Sequence, residues 1–306
     1  RLDAVTAAAT QDIFDLALAP PLRMTLLVLA PEEARLFLEI HHIAWDGWSA
    51  QVFFPELGEA YAALLHGVER PLSPPPVTYY DYAAWTMARE KAGLLDADAG
   101  YWRETLAGAP GPFELGSGIQ ETSSADGEQG AVLRLAIDAP TTAGLRALAR
   151  KRGETLYVAL LAMFADLLSV HAGHEDLLVG TVSANRPRQA LHGLVGFFAN
   201  ALPLRLRLKG TRSLAELLDL IREVSLQAQA HQELPFDRIV QEAGAERHPG
   251  RNPLFQVLFV YQNEPFPGLS LRGLAVEPLP MERGRTALDL VFDVQPQGEG
   301  LELTVT

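Results

Sequence analysis

Between Leu36 and Leu65 the hydrophobic pattern changes period. The change falls on Ile40-His41-His42-Ile43-Ala44-Trp45-Asp46-Gly47-Trp48-Ser49. Before it, Leu36, Leu38 and Ile40 alternate with Phe37 and Glu39, the period of a half-buried strand. Carried forward, that alternation puts His42 on the face of Leu36, Leu38 and Ile40, and His41 on the other. After it, Val52, Phe53, Leu57, Ala60, Tyr61 and Leu64 recur at helical spacing. Gly47 and Ser49 suit a turn and a helix start between the two periods. A chain written this way must bend from strand to helix with two imidazoles and a carboxylate at the bend.

Two readings of the bend compete. In one, a buried histidine is satisfied by a backbone partner and Asp46 only caps the helix. In the other, His42 handles protons and Asp46 or its turn holds the ring, since perturbed titratable groups concentrate at functional sites. Spacing leaves both open.

A length of 306 residues is enough for two lobes with real cores. With 48% hydrophobic and 21% charged residues the composition is that of an ordinary globular protein. The formal net charge of -13 argues against a nucleic-acid partner or an anionic membrane surface. The absence of cysteine excludes disulfides, thiolate catalysis and Cys-ligated metal, and is compatible with a cytoplasmic location. No charged patch followed by an apolar core opens the sequence. No apolar run approaches the roughly 20 residues of a membrane span. Arg1 stands where an initiator Met would be, and Leu301–Thr306 reads as a strand, so both ends are expected to be cut inside a domain.

The remainder alternates strands and helices. A short helix is expected up to about Ala19, then a β-hairpin from Met24–Leu29 and Arg35–His42. After the helix that follows Asp46 comes a stiff Pro71–Pro76 connector, then helices over Thr78–Arg89 and Asp96–Leu106. Gly108 to Gly130 shifts to Gly, Pro, Ser and acidic residues, and the lobe boundary is expected there, dividing residues 1–110 from 111–306. Beyond it, strands are expected at 131–137, 177–183, 202–208, 254–261, 287–294 and 301–305. Helices are expected at 141–152, 155–170 and 213–229. The helix at 155–170 is apolar nearly all round, so deep burial is expected. The fold class is α/β with mixed sheets.

Further segments follow the bend in a fixed order. Tyr79-Tyr80-Asp81-Tyr82-Ala83-Ala84-Trp85 resembles a YxDYAxW segment and Gly196-Phe197-Phe198-Ala199-Asn200-Ala201 a GxFVNT segment. His231-Gln232-Glu233-Leu234-Pro235-Phe236-Asp237 is close to HQDxPFE, and Arg251-Asn252-Pro253-Leu254-Phe255-Gln256 matches RNPLFQ. With His41-His42-Ile43-Ala44-Trp45-Asp46-Gly47 as HHxxxDG, the set resembles the condensation domains of nonribosomal peptide synthetases. From the residues alone, Tyr80, Tyr82 and Trp85 read as packing aromatics, and Gly196 with the two phenylalanines as a tight backbone approach plus core. Asn252 and Arg186 stand out as strong hydrogen-bonding groups bordering apolar strands.

The resemblance implies a chloramphenicol acetyltransferase-like fold, two lobes in a V with the HHxxxDG loop at a tunnel between them. It implies an acyltransferase that forms an amide. The α-amine of an acceptor aminoacyl thioester attacks a donor acyl or peptidyl thioester, and both arrive on 4'-phosphopantetheine arms. The implied partners are donor and acceptor peptidyl carrier proteins and an adjacent adenylation domain; no metal and no directly bound cofactor are implied. His42 is the candidate base or positioning group, and His41 supports the loop. Asp46 is expected to be structural, paired with Arg186. Gly47 leaves room for the thioester, and Ser49 serves either the carbonyl oxygen or an N-cap. Trp45 and Asn252 complete the set as substrate-binding or structural support. Intact His41, His42 and Asp46-Gly47 argue for the bond-forming subtype over the cyclising, epimerising and oxygenase-recruiting ones. The alternatives are a related coenzyme A- or carrier-dependent acyltransferase and a non-catalytic docking domain.

Overall fold

The alternation around Leu36 forms strand β2 (Glu33–Ile40), antiparallel to β1 (Leu22–Ala30), in a computed structural model that describes residues 14–18, 20–68, 73–111, 131–211, 213–263, 267–279 and 288–306. The last ladder pair is Leu22↔Ile40, with the His41 amide donating to Pro21 O at 2.9 Å. His42 does not continue the strand. It opens a 3-10 turn, His42–Ala44, so the expectation that it shares the face of Leu36, Leu38 and Ile40 is corrected. Helix α1 (Gly47–Leu65) follows, then α2 (Tyr79–Lys91) and α3 (Asp96–Leu106).

The described residues group into two compact units. The first takes Arg1–Ala84, Arg186–Ala199 and Pro267–Glu277; the second takes Trp85–Asn185, Asn200–Phe266 and Pro278–Thr306. The first therefore holds the β1–β2 hairpin, α1 and the segment that leaves the chain after Asn185 and rejoins it at Asn200.

The second unit is built on a six-stranded mixed sheet in the order β3-β8-β7-β6-β4-β5. The strands are β3 (Leu133–Ile137), β4 (Asp176–Ser183), β5 (Asn200–Arg207), β6 (Val257–Tyr261), β7 (Leu290–Gln297) and β8 (Gly300–Val305). β6 runs parallel to β4 and β7; the other neighbours are antiparallel. Its helices are α3 with α4 (Ala139–Arg152), α5 (Leu156–Ala172), α6 (Leu214–Ala230) and α7 (Phe236–Glu242). Gly153 and Gly173 end α4 and α5 at φ 69° and 68°, where a side chain would be strained. α5 buries Val158–Ala162, Phe164, Ala165 and Leu168, but Met163, Leu167 and Val170 are exposed, so it is amphipathic in practice.

The expected boundary at residues 110–111 differs from this grouping. Leu95, Ala99, Trp102 and Leu106 of α3 belong to the same buried cluster as β4, β5 and α5. Trp102 is fully buried and its indole donates to His231 O at 3.0 Å. Arg205 on β5 donates to the carbonyls of Thr105, Ala107 and Gly108, fixing the end of α3. The packing of α3 places it in the second unit. The expected helix before Ala19 lies outside the described residues except for 14–18, the proline-rich connector does so at 71 and 72, and the linker does so from 112 to 130.

Candidate active site

The bend is organised by Asp46. It is the N-cap of α1 at φ -131° and ψ 178°, and its Oδ1 accepts from the Ser49 amide at 2.8 Å. The Asp46 amide donates back to Ser49 Oγ at 3.4 Å, which closes a capping box. Ser49 is thus the third helical residue, not the cap. It is fully buried, and its hydroxyl lies 2.8 Å from Asp46 Oδ1 and 2.9 Å from Gly196 O, and accepts from the Gly196 amide at 3.0 Å. One hydroxyl proton serves one acceptor at a time. The Ser49 hydroxyl is therefore taken up within the loop and the Gly196 backbone.

The same carboxylate holds Arg186. Nη2 donates to Asp46 Oδ1 at 3.1 Å and Oδ2 at 3.2 Å, and Nη1 donates to Leu191 O and Leu194 O at 2.6 and 2.7 Å. The amides of Phe198 and Ala199 donate to Asp46 Oδ2 at 3.0 and 3.3 Å. Each carboxylate oxygen thus has three donors around it. Burial lowers the proton affinity of the Arg186 guanidinium, while the charge of Asp46 raises it. An arginine keeps its charge under such opposition. The guanidinium also lies over the Phe198 ring, 3.9 Å from its centroid.

Tyr79 secures the segment from the other side. Its hydroxyl donates to Phe197 O at 2.8 Å, and its ring packs edge-on to Phe198 with centroids 5.0 Å apart. Burial pushes the Tyr79 phenol up, with Tyr82 and Asp46 adding to the effect, so it stays a donor. A Cβ at Gly196 would run into the Tyr79 and Phe198 rings, which is why glycine stands there.

The two histidines fare differently. His41 Nδ1 accepts from the Ile43 amide at 3.0 Å, which leaves the neutral ring's proton on Nε2. His42 is exposed, and its ring meets the edge of Phe197 at 4.9 Å and 72°. Among the described residues neither of its nitrogens has a hydrogen-bond partner. Gly47 is exposed too, has no positive φ, and a Cβ there would meet no atom within 4 Å.

The structure thus brings His41, His42, Asp46, Gly47, Ser49 and Arg186 together. Trp45 sits behind them, packed against Phe53 and Phe54 at 5.4 and 6.4 Å. Asn252 holds a turn of its own. It belongs to the second unit, where its Oδ1 accepts from the amides of Leu254 and Phe255 at 3.0 and 3.1 Å ahead of β6. Sequence reasoning missed Phe197, Tyr79 and Trp48. The sequence groups Phe197 with Phe198 as core, yet Phe197 is 41% exposed and Phe198 2%. Trp48 donates its indole N–H to His192 O at 2.9 Å.

The family model described as Condensation domain matches residues 2–306. The chain belongs to the condensation-domain family. A linear gramicidin synthase polypeptide from Brevibacillus parabrevis is 38% identical over 281 residues, 92% of this chain and 4% of that protein. Malpibaldin synthetase from Mortierella alpina is 38% identical over 275 residues, 90% of the chain and 5% of that protein. The condensation domain thus spans only a small part of these relatives' length. Its fold matches the X-domain from teicoplanin biosynthesis with a TM-score of 0.87, at 25% identity, over 99% of this chain and 70% of that one. The chain has the mixed α/β condensation-domain fold.

Proposed function

We propose that this condensation domain forms peptide bonds in nonribosomal peptide synthesis. The amine of a carrier-bound aminoacyl thioester attacks the carbonyl of a carrier-bound acyl or peptidyl thioester. The observation that carries this reading is the division of labour in the loop. Asp46 is wholly committed to the buried network and His41 to its own turn, whereas His42 is exposed and, among the described residues, has no hydrogen-bond partner on either ring nitrogen.

An α-amine has a reference pKa of about 7.7–8.0 and an imidazole about 6.5, so near neutrality a free imidazole accepts protons while part of the amine stays charged. As the C–N bond forms and the C–S bond breaks, the proton leaving the amine passes to His42 and on to the departing thiolate. Holding the amine by a hydrogen bond from its N–H to His42 supplies orientation, which by itself accelerates aminolysis strongly. Gly47 lends the loop a bare backbone flank past which a slender thioester arm can slide. The phosphopantetheine comes on the donor and acceptor carrier proteins, and the much longer synthetases among the relatives support a multidomain setting.

The test is to load donor and acceptor carrier proteins and follow the dipeptidyl thioester by intact-protein mass spectrometry. Product with the natural sequence and its loss in His42→Ala support the reading. Product only on a free alcohol or on coenzyme A moves the domain to the neighbouring acyltransferases, and carrier binding without product makes it a docking platform.

A further inference from the structure

Phe197 and Phe198 are adjacent, but the fold treats them oppositely. Phe198 is buried over Arg186 and against Tyr79 and Tyr82. Phe197 faces out, 41% exposed, with its ring edge-to-face on His42. Less of its apolar surface is buried than that of Phe198, so packing accounts less fully for an aromatic ring at this position.

The backbone that carries Phe197 is anchored on both sides. Gly196 is clasped by the Ser49 hydroxyl through its N–H and its carbonyl, at 3.0 and 2.9 Å. The amides of Phe198 and Ala199 are bound by Asp46. The Phe197 carbonyl accepts from Tyr79 at 2.8 Å. Five backbone groups of the segment are thus fastened to the buried network, and the exposed ring it projects rests on the His42 imidazole.

The His42 ring needs such a restraint. The last torsion of a histidine side chain is broad and roughly two-fold, and among the described residues no hydrogen bond to either nitrogen of His42 narrows it. An edge-to-face neighbour favours a narrow range of ring orientations. We propose that Phe197 is a positioning residue, whose ring holds the His42 imidazole in the orientation that meets the incoming amine. This rests on the amide-forming role of His42. Phe197 takes no proton and exchanges no bond; it fixes where the accepting nitrogen points.

The experiment compares Phe197→Leu and Phe197→Tyr in the full-length protein, with loaded carriers. Leucine keeps apolar bulk but no ring edge, and kcat is expected to fall about 10- to 100-fold while KM for both carriers stays within about twofold. Tyrosine keeps the ring edge and restores most of the rate. In parallel, diethyl pyrocarbonate modification of His42 is read by peptide mass spectrometry. It is expected to quicken several-fold in the leucine variant, with exposed His174 as the unchanged reference. An unaltered kcat in Phe197→Leu overturns the proposal. So does a rise in KM that accounts for the whole loss, which would make Phe197 a substrate wall, and so does an unchanged modification rate at His42. If His42→Ala forms product as fast as the natural sequence, the amide-forming role itself falls. The modification rates then still decide whether Phe197 restrains the ring.

Discussion

Asp46 and Arg186 stand 140 positions apart and close a salt bridge at 3.1 and 3.2 Å, with side chains 2% and 1% exposed. Stability alone does not require this pair, because well-packed apolar residues often replace a buried ion pair without loss. What the pair supplies is placement. It fastens the first turn of α1 to the segment Arg186–Ala199, so that the loop ends with the His42 imidazole exposed and the carboxylate turned inward.

Removing half of the pair leaves a buried charge without its counter-charge. Asp46→Ala is expected to destabilise the chain by about 3–5 kcal/mol. The double change Asp46→Ala with Arg186→Met is expected to recover part of that loss, since no charge is then stranded. Urea unfolding of the two variants reads the difference. Equal loss in both would mean that the carboxylate's other partners, Ser49, Phe198 and Ala199, carry the energy.

Gly47 separates fold from function. Its Cβ position is open and its φ is not positive, so Gly47→Ala is expected to leave stability within about 0.5 kcal/mol. The added methyl stands on the flank assigned to the thioester arm. Amide formation is expected to fall about 10- to 200-fold, the effect of one carbon in a fitted site. Thermal melting and single-turnover product formation on the same preparation check this. An unchanged rate would remove Gly47 from the reactants' path.

The elements were legible where periodicity is long and uninterrupted. The hairpin, the helix after Asp46, the helices flanking Gly153 and the closing β7–β8 hairpin all fall within a few residues of their expected positions. Period two could not show where pairing stops. Ile40 is the last paired residue because His41 turns to bond Pro21 O and His42 starts a new turn, a choice made by partners distant in the pattern. Asp46 was expected to pair with Arg186, but the amides of Phe198 and Ala199 that share its carboxylate were invisible, since backbone donors carry no residue signature. The outward turn of Phe197 did leave a trace. Where a chain is extended, neighbouring side chains point to opposite sides, so Phe197 and Phe198 need not share one environment.

Asp293 on β7 offers a test by pH. Its Oδ1 is buried without a hydrogen-bond partner, and burial pushes its pKa up against a hydrogen bond from Gln262. The folded chain therefore holds this proton more tightly than the unfolded chain does. The ionised carboxylate opposes folding at neutral pH, and the opposition fades as pH falls through the folded-state pKa. Asp293→Leu is expected to gain about 1–3 kcal/mol at neutral pH, the cost of one unmatched buried polar group, with the gain shrinking on acidification. Urea unfolding of both chains along a pH series measures it. A gain that stayed constant with pH would trace to packing and not to the charge.

Gly196 couples the two halves of the site through space alone. A methyl there meets the rings of Tyr79 and Phe198, and neither ring yields freely, since Tyr79 is bonded to Phe197 O and Phe198 is packed over Arg186. Gly196→Ala is expected to cost about 1–3 kcal/mol, as overpacking does. Stability and rate fall together here, whereas Gly47→Ala lowers the rate alone, because the displaced segment carries the amides bound to Asp46 and the ring resting on His42. Tyr79→Leu makes room but forfeits a hydrogen bond, a loss of about 1 kcal/mol by itself. Combined with Gly196→Ala it is expected to be less harmful than the sum of the two, with a coupling of about 0.5–3 kcal/mol. Urea unfolding of the two single variants and the double variant measures that coupling. A double variant that loses the full sum would show that the Tyr79 ring is not what keeps the methyl out.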